Sequence, residues 1–179
     1  MSPWHAFCKD HGMKKSTTFM ASAVAAVALF LSTDVNAQKL GVGVNLGVPT
    51  SDGYSFAIGA DARMQFDVSK QVSIPVTTGY THFIGKTINN IDIPDYGYIP
   101  LKGGVKVFFD PSGSGLYGMA EVGAAFGVTK NSGTSFLYSP AIGYAWSNGL
   151  DLGVKYEGLP KDGLNTGQVA LRLAYGFKL

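Results

Sequence analysis

Histidine and serine side chains are the first candidates for covalent chemistry in this sequence. His82 is the only histidine after residue 37, and Ser55, Ser135 and Ser139 are the serines that a fold could bring beside it. A serine can act as a nucleophile when a histidine accepts its proton and an acid orients the ring. No spacing here enforces that arrangement. A tolerated polar histidine is therefore the preferred interpretation of His82, with catalysis as the alternative.

Nine charged residues form a second candidate site. Five are basic and four are acidic, and all lie in segments where polar and apolar residues alternate: Asp61, Arg63, Lys102, Lys106, Glu121, Asp151, Lys155, Glu157 and Arg172. Inside a protein such groups must pair or be hydrated, because an isolated buried charge is costly. Their near balance predicts a salt-bridge network that plugs an enclosed interior. On a water-facing surface the same residues would be ordinary solvated charges.

Other kinds of site have little support, and we expect no metal, no cofactor and no nucleic acid. Asp92 and Asp95 supply two carboxylates, whereas calcium takes about six to eight oxygen ligands. The stretch "GVGVNLG" precedes no helix, so it is not a phosphate loop. The net charge of +2 comes without a cluster of lysine or arginine that would indicate nucleic-acid binding.

The first 37 residues predict a cleavable signal peptide. Lys14 and Lys15 precede an apolar run from Phe19 to Leu31, and the small-residue site Val35-Asn36-Ala37 follows. The run is shorter than the roughly 20 apolar residues that a membrane anchor needs. The upstream piece does not resemble a signal sequence, so we expect translation to start at Met13. The only cysteine, Cys8, would be lost with this segment.

The remaining domain, residues 38–179, is predicted to be all-β. Polar and apolar residues alternate with a period of two between turn signals, which is the pattern of strands with two unlike faces. No convincing stretch has the 3.6-residue period of a helix. Eight such runs fill the domain: 39–48, 56–66, 72–83, 99–109, 116–128, 136–146, 150–157 and 168–177. An even number of strands of about ten residues predicts an eight-stranded antiparallel up-and-down barrel.

Alternation cannot decide which face points outward, because soluble eight-stranded barrels alternate too. Three other features favour a transmembrane barrel with the apolar face toward lipid. The opposite face is crowded with small residues that fit a narrow interior, and its charges nearly balance. Aromatic residues on the apolar face gather near strand ends, as at membrane interfaces. The predicted aromatic girdle is Tyr54, Phe56, Phe66, Phe109, Phe126, Phe136, Tyr138, Trp146, Tyr156, Tyr175 and Phe177.

Some positions fit this pattern less well. Pro75, Pro100 and Pro140 fall in or beside predicted strands, and proline cannot donate to a sheet. We interpret them as bulges or strand ends. Thr78 and His82 fall on the predicted lipid face.

The connections also differ between the two ends of the predicted barrel. One end would carry short turns only. The other would carry the two longest loops, 85–97 and 158–166. Short turns on one side and longer loops on the other are typical of transmembrane barrels, whose short turns lie in the periplasm.

The strands and the closing segment "VALRLAYGFKL" resemble the small outer-membrane β-barrel proteins of Gram-negative bacteria, the class that includes the transmembrane domain of outer-membrane protein A and barrels of the Bacteroidetes type. The resemblance implies a terminal assembly signal at Tyr175, Phe177 and Leu179. It also implies outer-membrane lipids and the barrel-assembly machinery as partners, a monomer, and an extracellular partner that reaches the loops.

We therefore expect an integral outer-membrane protein with a structural or surface-interaction role, such as membrane integrity, adhesion or a narrow conductance. It is not expected to be an enzyme. Two alternatives stay open at this stage. One is a lipid-modifying barrel enzyme that uses His82, and the other is a secreted, lipocalin-like soluble barrel that binds an apolar ligand.

Overall fold

The protein is all-β, as the sequence predicts. A computed structural model describes residues 38–88, 90–129, 132–161 and 164–178, so the predicted signal peptide and Leu179 lie outside the described residues. The strands are β1 Gln38–Pro49, β2 Tyr54–Asp67, β3 Val72–Gly85, β4 Thr87–Ile88, β5 Ile91–Asp92, β6 Tyr96–Phe108, β7 Gly115–Gly127, β8 Thr134–Ala145, β9 Leu150–Lys161 and β10 Leu164–Lys178. Within the described ranges, no helix is long and apolar enough to cross a bilayer.

Eight of these strands close into one barrel, in the order β1-β10-β9-β8-β7-β6-β3-β2. Every pairing is antiparallel, and β1 closes the circle by pairing with β10. The prediction of an eight-stranded antiparallel up-and-down barrel is therefore confirmed. We call the end where β1 begins and β10 finishes the terminal end, and the opposite end the loop end.

The loop end differs from the prediction in both of its long connections. Within residues 85–97, β4 and β5 form a separate two-stranded hairpin. Residues 158–166 are mostly strand, because β9 and β10 continue to pair as far as Lys161 and Leu164. The buried side chain of Leu159, 2% exposed, holds this extension against the barrel interior.

The three prolines lie inside strands, not at bulges or strand ends as predicted. Pro75 and Pro100 coincide with breaks in the pairing of β3 with β6, and Pro140 coincides with a break between β8 and β9. The register is the same on both sides of each break. Each proline still pairs on its other side, so the missing N–H group interrupts one ladder locally and does not end the strand.

The two faces of each strand meet opposite environments. On β2, Ile58 faces outward with 48% of its surface exposed, whereas Asp61 and Arg63 face the interior at 8% and 4%. Large apolar side chains cover the outside of all eight strands. A continuous apolar surface of this extent is a liability in water but fits the hydrocarbon of a bilayer. This inside-out arrangement is that of a transmembrane barrel and excludes the soluble alternative.

Two lumen-facing glycines allow the paired strands β6 and β7 to approach closely. A Cβ on Gly104 would overlap the carbonyl oxygen of Ala120, and a Cβ on Gly123 would overlap that of Leu101. The backbones of β6 and β7 thus approach too closely at these points for any side chain. An eight-stranded barrel has room only for side chains inside, so small and large residues must alternate there.

Candidate functional site

The nine charged residues of the sequence prediction all point into the lumen. Eight are buried, and Asp151 has 13% of its side chain exposed. They come from five different strands of the closed barrel, so folding of the barrel brings together residues that are far apart in the chain. Their contacts divide into two clusters, which we call the terminal cluster and the central cluster.

The terminal cluster is built around one ion pair. Arg172 on β10 donates from Nε to both oxygens of Asp61 on β2 at 3.0 Å, and from Nη2 to Oδ1 at 2.5 Å. Asn45, on the intervening strand β1, donates to Asp61 Oδ2 at 2.8 Å. A guanidinium that donates two parallel hydrogen bonds to one carboxylate forms one of the strongest ion pairs found in proteins. This pair therefore ties three adjacent strands together from the inside.

Asp151 extends the terminal cluster across the lumen. It accepts hydrogen bonds from Lys106 Nζ at 2.8 Å and from the Tyr117 hydroxyl at 2.7 Å. Arg172 Nη1 lies 3.8 Å from the same carboxylate. The ammonium of Lys106 also sits 3.8 Å from the centroid of the Tyr117 ring, an orientation that adds a cation–π attraction.

The central cluster lies deeper and is more completely buried. Lys102 lies 3.6 Å from Glu121 and 3.4 Å from Glu157, and Lys155 lies 2.8 Å from Glu157. Glu157 is 0% exposed and Glu121 is 1% exposed. Carboxylates buried to this extent require the paired cations, because an unpaired charge at these sites would be strongly destabilising.

Arg63 belongs to the central cluster. Its Nε donates to Thr77 Oγ1 at 3.1 Å, and Thr77 in turn donates to Glu121 at 2.5 Å. Its Nη2 lies 3.7 Å from Glu121 Oε2, while Nη1 has no hydrogen-bond partner among the described residues. The lumen network therefore leaves one guanidinium nitrogen unsatisfied.

A cluster of buried apolar side chains, which we call the apolar plug, lies inside the lumen at the loop end. Phe83, Tyr98 and Leu137 are each 0% exposed, and the rings of Phe83 and Tyr98 are 5.9 Å apart. Leu159 and Ala125 complete the packing. These residues were not predicted from the sequence, because large apolar side chains were assigned to the lipid face. Their position in the alternation was the available signal, since Leu137 lies between the outward-facing Phe136 and Tyr138.

The terminal end of the lumen is open. A cavity of about 590 Å³ lies there, lined by the turns after β6 and β8 and by the inner faces of the strand ends. We call it the vestibule. Its charged lining residues are Lys39, Arg63, Lys106, Asp151 and Arg172. Water thus has access to the terminal cluster from one side only.

Ten of the eleven predicted girdle residues lie on the outer surface or partly exposed beside it, near both ends of the barrel. Edge-to-face pairs such as Tyr175 with Phe177, at 5.0 Å between ring centroids, occur at the terminal end. Tyr54 departs from the prediction. A register shift between Tyr54 and Phe56 breaks the alternation, and Tyr54 packs against the plug residue Phe83 at 5.3 Å.

The predicted serine and histidine residues are not brought together. His82 Nδ1 lies 3.1 Å from the Tyr80 hydroxyl and Nε2 lies 3.1 Å from Asp95. Ser135 and Ser139 face the lumen, 6% and 0% exposed, on the other side of the barrel wall. The hydroxyl of Ser55 donates instead to the carbonyl of Ile84.

Asp95 holds the loop-end hairpin in place. Its Oδ1 accepts the Gly85 amide at 2.8 Å, and Oδ2 contacts His82. These bonds favour the charged carboxylate, first the one from the Gly85 backbone and then the one from His82, and they lower the pKa of Asp95 from its ordinary value. Asp92 bonds separately to Thr87 at 2.6 Å, so the two carboxylates serve different contacts.

A closed eight-stranded barrel with an apolar exterior and a charged, filled interior is an outer-membrane β-barrel protein. Among solved structures, the chain is similar to Ail, the attachment invasion locus protein of Yersinia pestis, with a TM-score of 0.57 and 15% identity over 79% of this chain and 99% of that one. It is also similar to the N-terminal β-barrel domain of Pseudomonas aeruginosa OprF, with a TM-score of 0.51 and 12% identity over 79% and 98% of the two chains.

A designed protein shares the fold as well. The de novo transmembrane barrel TMB2.3 matches with a TM-score of 0.53 and 21% identity over 80% of this chain and 97% of that one. No protein-family model and no curated protein sequence matches the chain. At these identities the similarity is one of fold.

Proposed function

We propose that this protein is a closed structural barrel of the outer membrane that presents its loop end at the cell surface for contact with a partner. In this proposal the lumen does not conduct and the protein is not an enzyme. The observation that carries it is the filled interior. The central cluster and the apolar plug occupy the lumen between the vestibule and the loop end.

The loop-end hairpin supports a role in surface contact. Ile88 and Ile91 pair across β4 and β5, and they are 40% and 69% exposed beyond the barrel wall. A backbone hydrogen bond from Lys86 to Gly53 ties the hairpin to the turn between β1 and β2, and one from Ile93 to Lys86 closes the base of the hairpin. An ordered element that exposes two isoleucines to water is suited to bury them against another molecule.

The lipid-modifying enzyme is the weaker candidate. Both ring nitrogens of His82 already have partners, and the nearest candidate serines either face the lumen or bond to the backbone. For assembly, we propose that Tyr175 and Phe177 are read by the barrel-assembly machinery. Both are exposed on the outer face of the last strand, at 46% and 47%. Their partners in the folded state would then be outer-membrane lipids, with the protein a monomer.

Conductance across planar lipid bilayers tests the closed lumen. The refolded protein should give no steady ion current, whereas the double variant Leu137→Gly and Leu159→Gly, which shortens the plug, should give measurable openings. Heat-modifiable migration on a denaturing gel checks that both proteins are folded. A steady current through the unaltered protein would contradict the proposal.

Adherence of bacteria that carry the protein tests the surface role. Cells with Ile88→Ser and Ile91→Ser should bind less well to immobilised extracellular-matrix proteins than cells with the unaltered chain. Val68→Ser is the matched control, because Val68 is 65% exposed in a turn at the opposite end of the barrel. Equal adherence of the hairpin variant and the control would exclude the hairpin as the contact surface.

A further inference from the structure

Five basic and four acidic side chains point into the lumen, so one positive charge has no carboxylate of its own. The excess positive charge lies in the central cluster, which includes Arg63. In the terminal cluster, Arg172 is matched by Asp61 and Lys106 by Asp151. At the rim of the vestibule, Lys39 is matched by Asp67 at 2.8 Å. The remaining lumen cations must share two carboxylates; they are Arg63, Lys102 and Lys155 against Glu121 and Glu157.

Arg63 is the cation with the weakest match. Its closest carboxylate oxygen, Glu121 Oε2, is 3.7 Å away and is also approached by Lys102 at 3.6 Å. Arg63 is only 4% exposed, and its Nη1 has no hydrogen-bond partner among the described residues. A buried donor without a partner and a buried charge without a full counter-charge are both destabilising. An anion bound beside this guanidinium would supply the missing counter-charge.

The vestibule gives such an anion access. Arg63 lines the 590 Å³ cavity together with Lys106 and Arg172, and Asp151 is the only carboxylate residue in the lining. The cavity opens at the terminal end, away from the apolar plug, so a solute enters from the water on that side. A guanidinium presents its N–H groups in a planar fork that suits the oxygens of phosphate and carboxylate groups.

We propose that the vestibule is a binding site for a small phosphate-class oxyanion, which pairs with the Arg63 guanidinium and neutralises the excess charge of the lumen. In the membrane orientation with the terminal end in the periplasm, the ligand is a free periplasmic anion. Lys106, which is paired with Asp151, also lines the site.

Titration calorimetry of the full protein, refolded in maltoside micelles without phospholipid, tests the proposal with inorganic phosphate as the probe. The unaltered protein should bind one phosphate per barrel, and Arg63→Gln should bind it about tenfold or more weakly, as expected for loss of a charge-assisted hydrogen bond. Lys86→Gln removes the same charge from an exposed position beyond the loop end and should bind as the unaltered protein does. Absence of saturable binding, or equal affinity of Arg63→Gln and the unaltered protein, would overturn the proposal.

If Arg63→Gln does not fold, nuclear magnetic resonance of the unaltered protein provides a second test. Phosphate should shift the Arg63 side-chain N–H signals of the unaltered protein in a saturable way, and the side-chain signal of Lys86 should not move. A second titration uses short-chain phosphatidylglycerol added to the same micelles. If that lipid shifts the Arg63 signals and inorganic phosphate does not, the anion comes from the membrane and the assignment to a free solute is wrong.

Discussion

Asp61 and Arg172 are 111 positions apart in the chain, yet they form a bidentate ion pair inside the barrel, with Nε to carboxylate distances of 3.0 Å. The pair spans β1, which lies between β2 and β10 at the point where the barrel closes. It therefore joins the first strands of the chain to the last one. Closure of the barrel and formation of this contact must occur together.

Removal of one partner of this ion pair should destabilise the barrel strongly. Asp61→Asn leaves Arg172 buried without its carboxylate, and we expect a loss of about 3–5 kcal/mol in the free energy of unfolding. The double variant Asp61→Asn with Arg172→Gln should lose less than the sum of the two single variants, because the unpaired charge is removed as well. Urea unfolding in lipid vesicles measures these values. Additive losses would show that the pair does not act as a unit.

The partly exposed pair Lys39 and Asp67 is the control for that experiment. Its members are 31% and 17% exposed at the rim, so Lys39→Gln should cost less than about 1 kcal/mol.

Two neighbouring glycines should differ sharply in their tolerance of a methyl group. Gly104→Ala drives a Cβ into the carbonyl oxygen of Ala120, so the strand pairing of β6 with β7 must shift to admit it. Gly103→Ala faces outward, and its nearest contact would be the Pro75 carbonyl oxygen at an ordinary 3.7 Å. The yield of heat-modifiable, folded protein should fall for Gly104→Ala and stay near normal for Gly103→Ala. Similar yields would mean that the two strands can separate without cost.

A charged side chain introduced on the outer surface should lower the free energy of unfolding only where that surface lies within the bilayer. Val44 lies midway along β1 and is 53% exposed on the outer surface. Val44→Arg should reduce the free energy of unfolding by about 2–4 kcal/mol in vesicles, the range for arginine near the bilayer midplane. Val68→Arg places the same side chain in an exposed turn and should have little effect. Equal effects at the two positions would contradict the membrane-spanning assignment of β1.

Acid should release the contact that attaches the loop-end hairpin. Because the pKa of Asp95 is lowered in the folded protein, its bond with the Gly85 amide is present above the ordinary carboxyl range and is lost as the pH falls through the lowered value. The amide proton of Gly85 should therefore titrate with a midpoint below about 3.9, the usual value for aspartate. Asp95→Asn should abolish this titration. A midpoint at or above the usual value would contradict the contact.

The sequence predicts well which face of a strand each side chain occupies, because this is a local property of the chain. Side chains alternate across an extended strand whatever its neighbours are, so Ile58 and Asp61 could be assigned to opposite faces without knowledge of the fold. Tyr54 shows the limit of this rule. A single register shift next to it reverses the alternation, and the sequence around it has no clear signal of that shift.

Only the charged part of the lumen was predicted from the sequence. The charged residues were recognised by their polarity. Phe83, Tyr98 and Leu137 were not recognised, because apolar side chains were assigned to the lipid face by their type and not by their position in the alternation. The partners of each charge also escaped prediction. Which carboxylate meets Arg172 depends on the stagger of strands around a closed barrel, and β2 and β10 meet only across β1.

The sequence by itself determined the strand number, the antiparallel order and the two faces of each strand, because these follow from alternation and turns along the chain. Only the tertiary structure decided the ion pairs, the position of the plug at one end and the unpartnered nitrogen of Arg63 at the other. Those features depend on distances between strands that are remote in sequence, and barrel closure sets those distances.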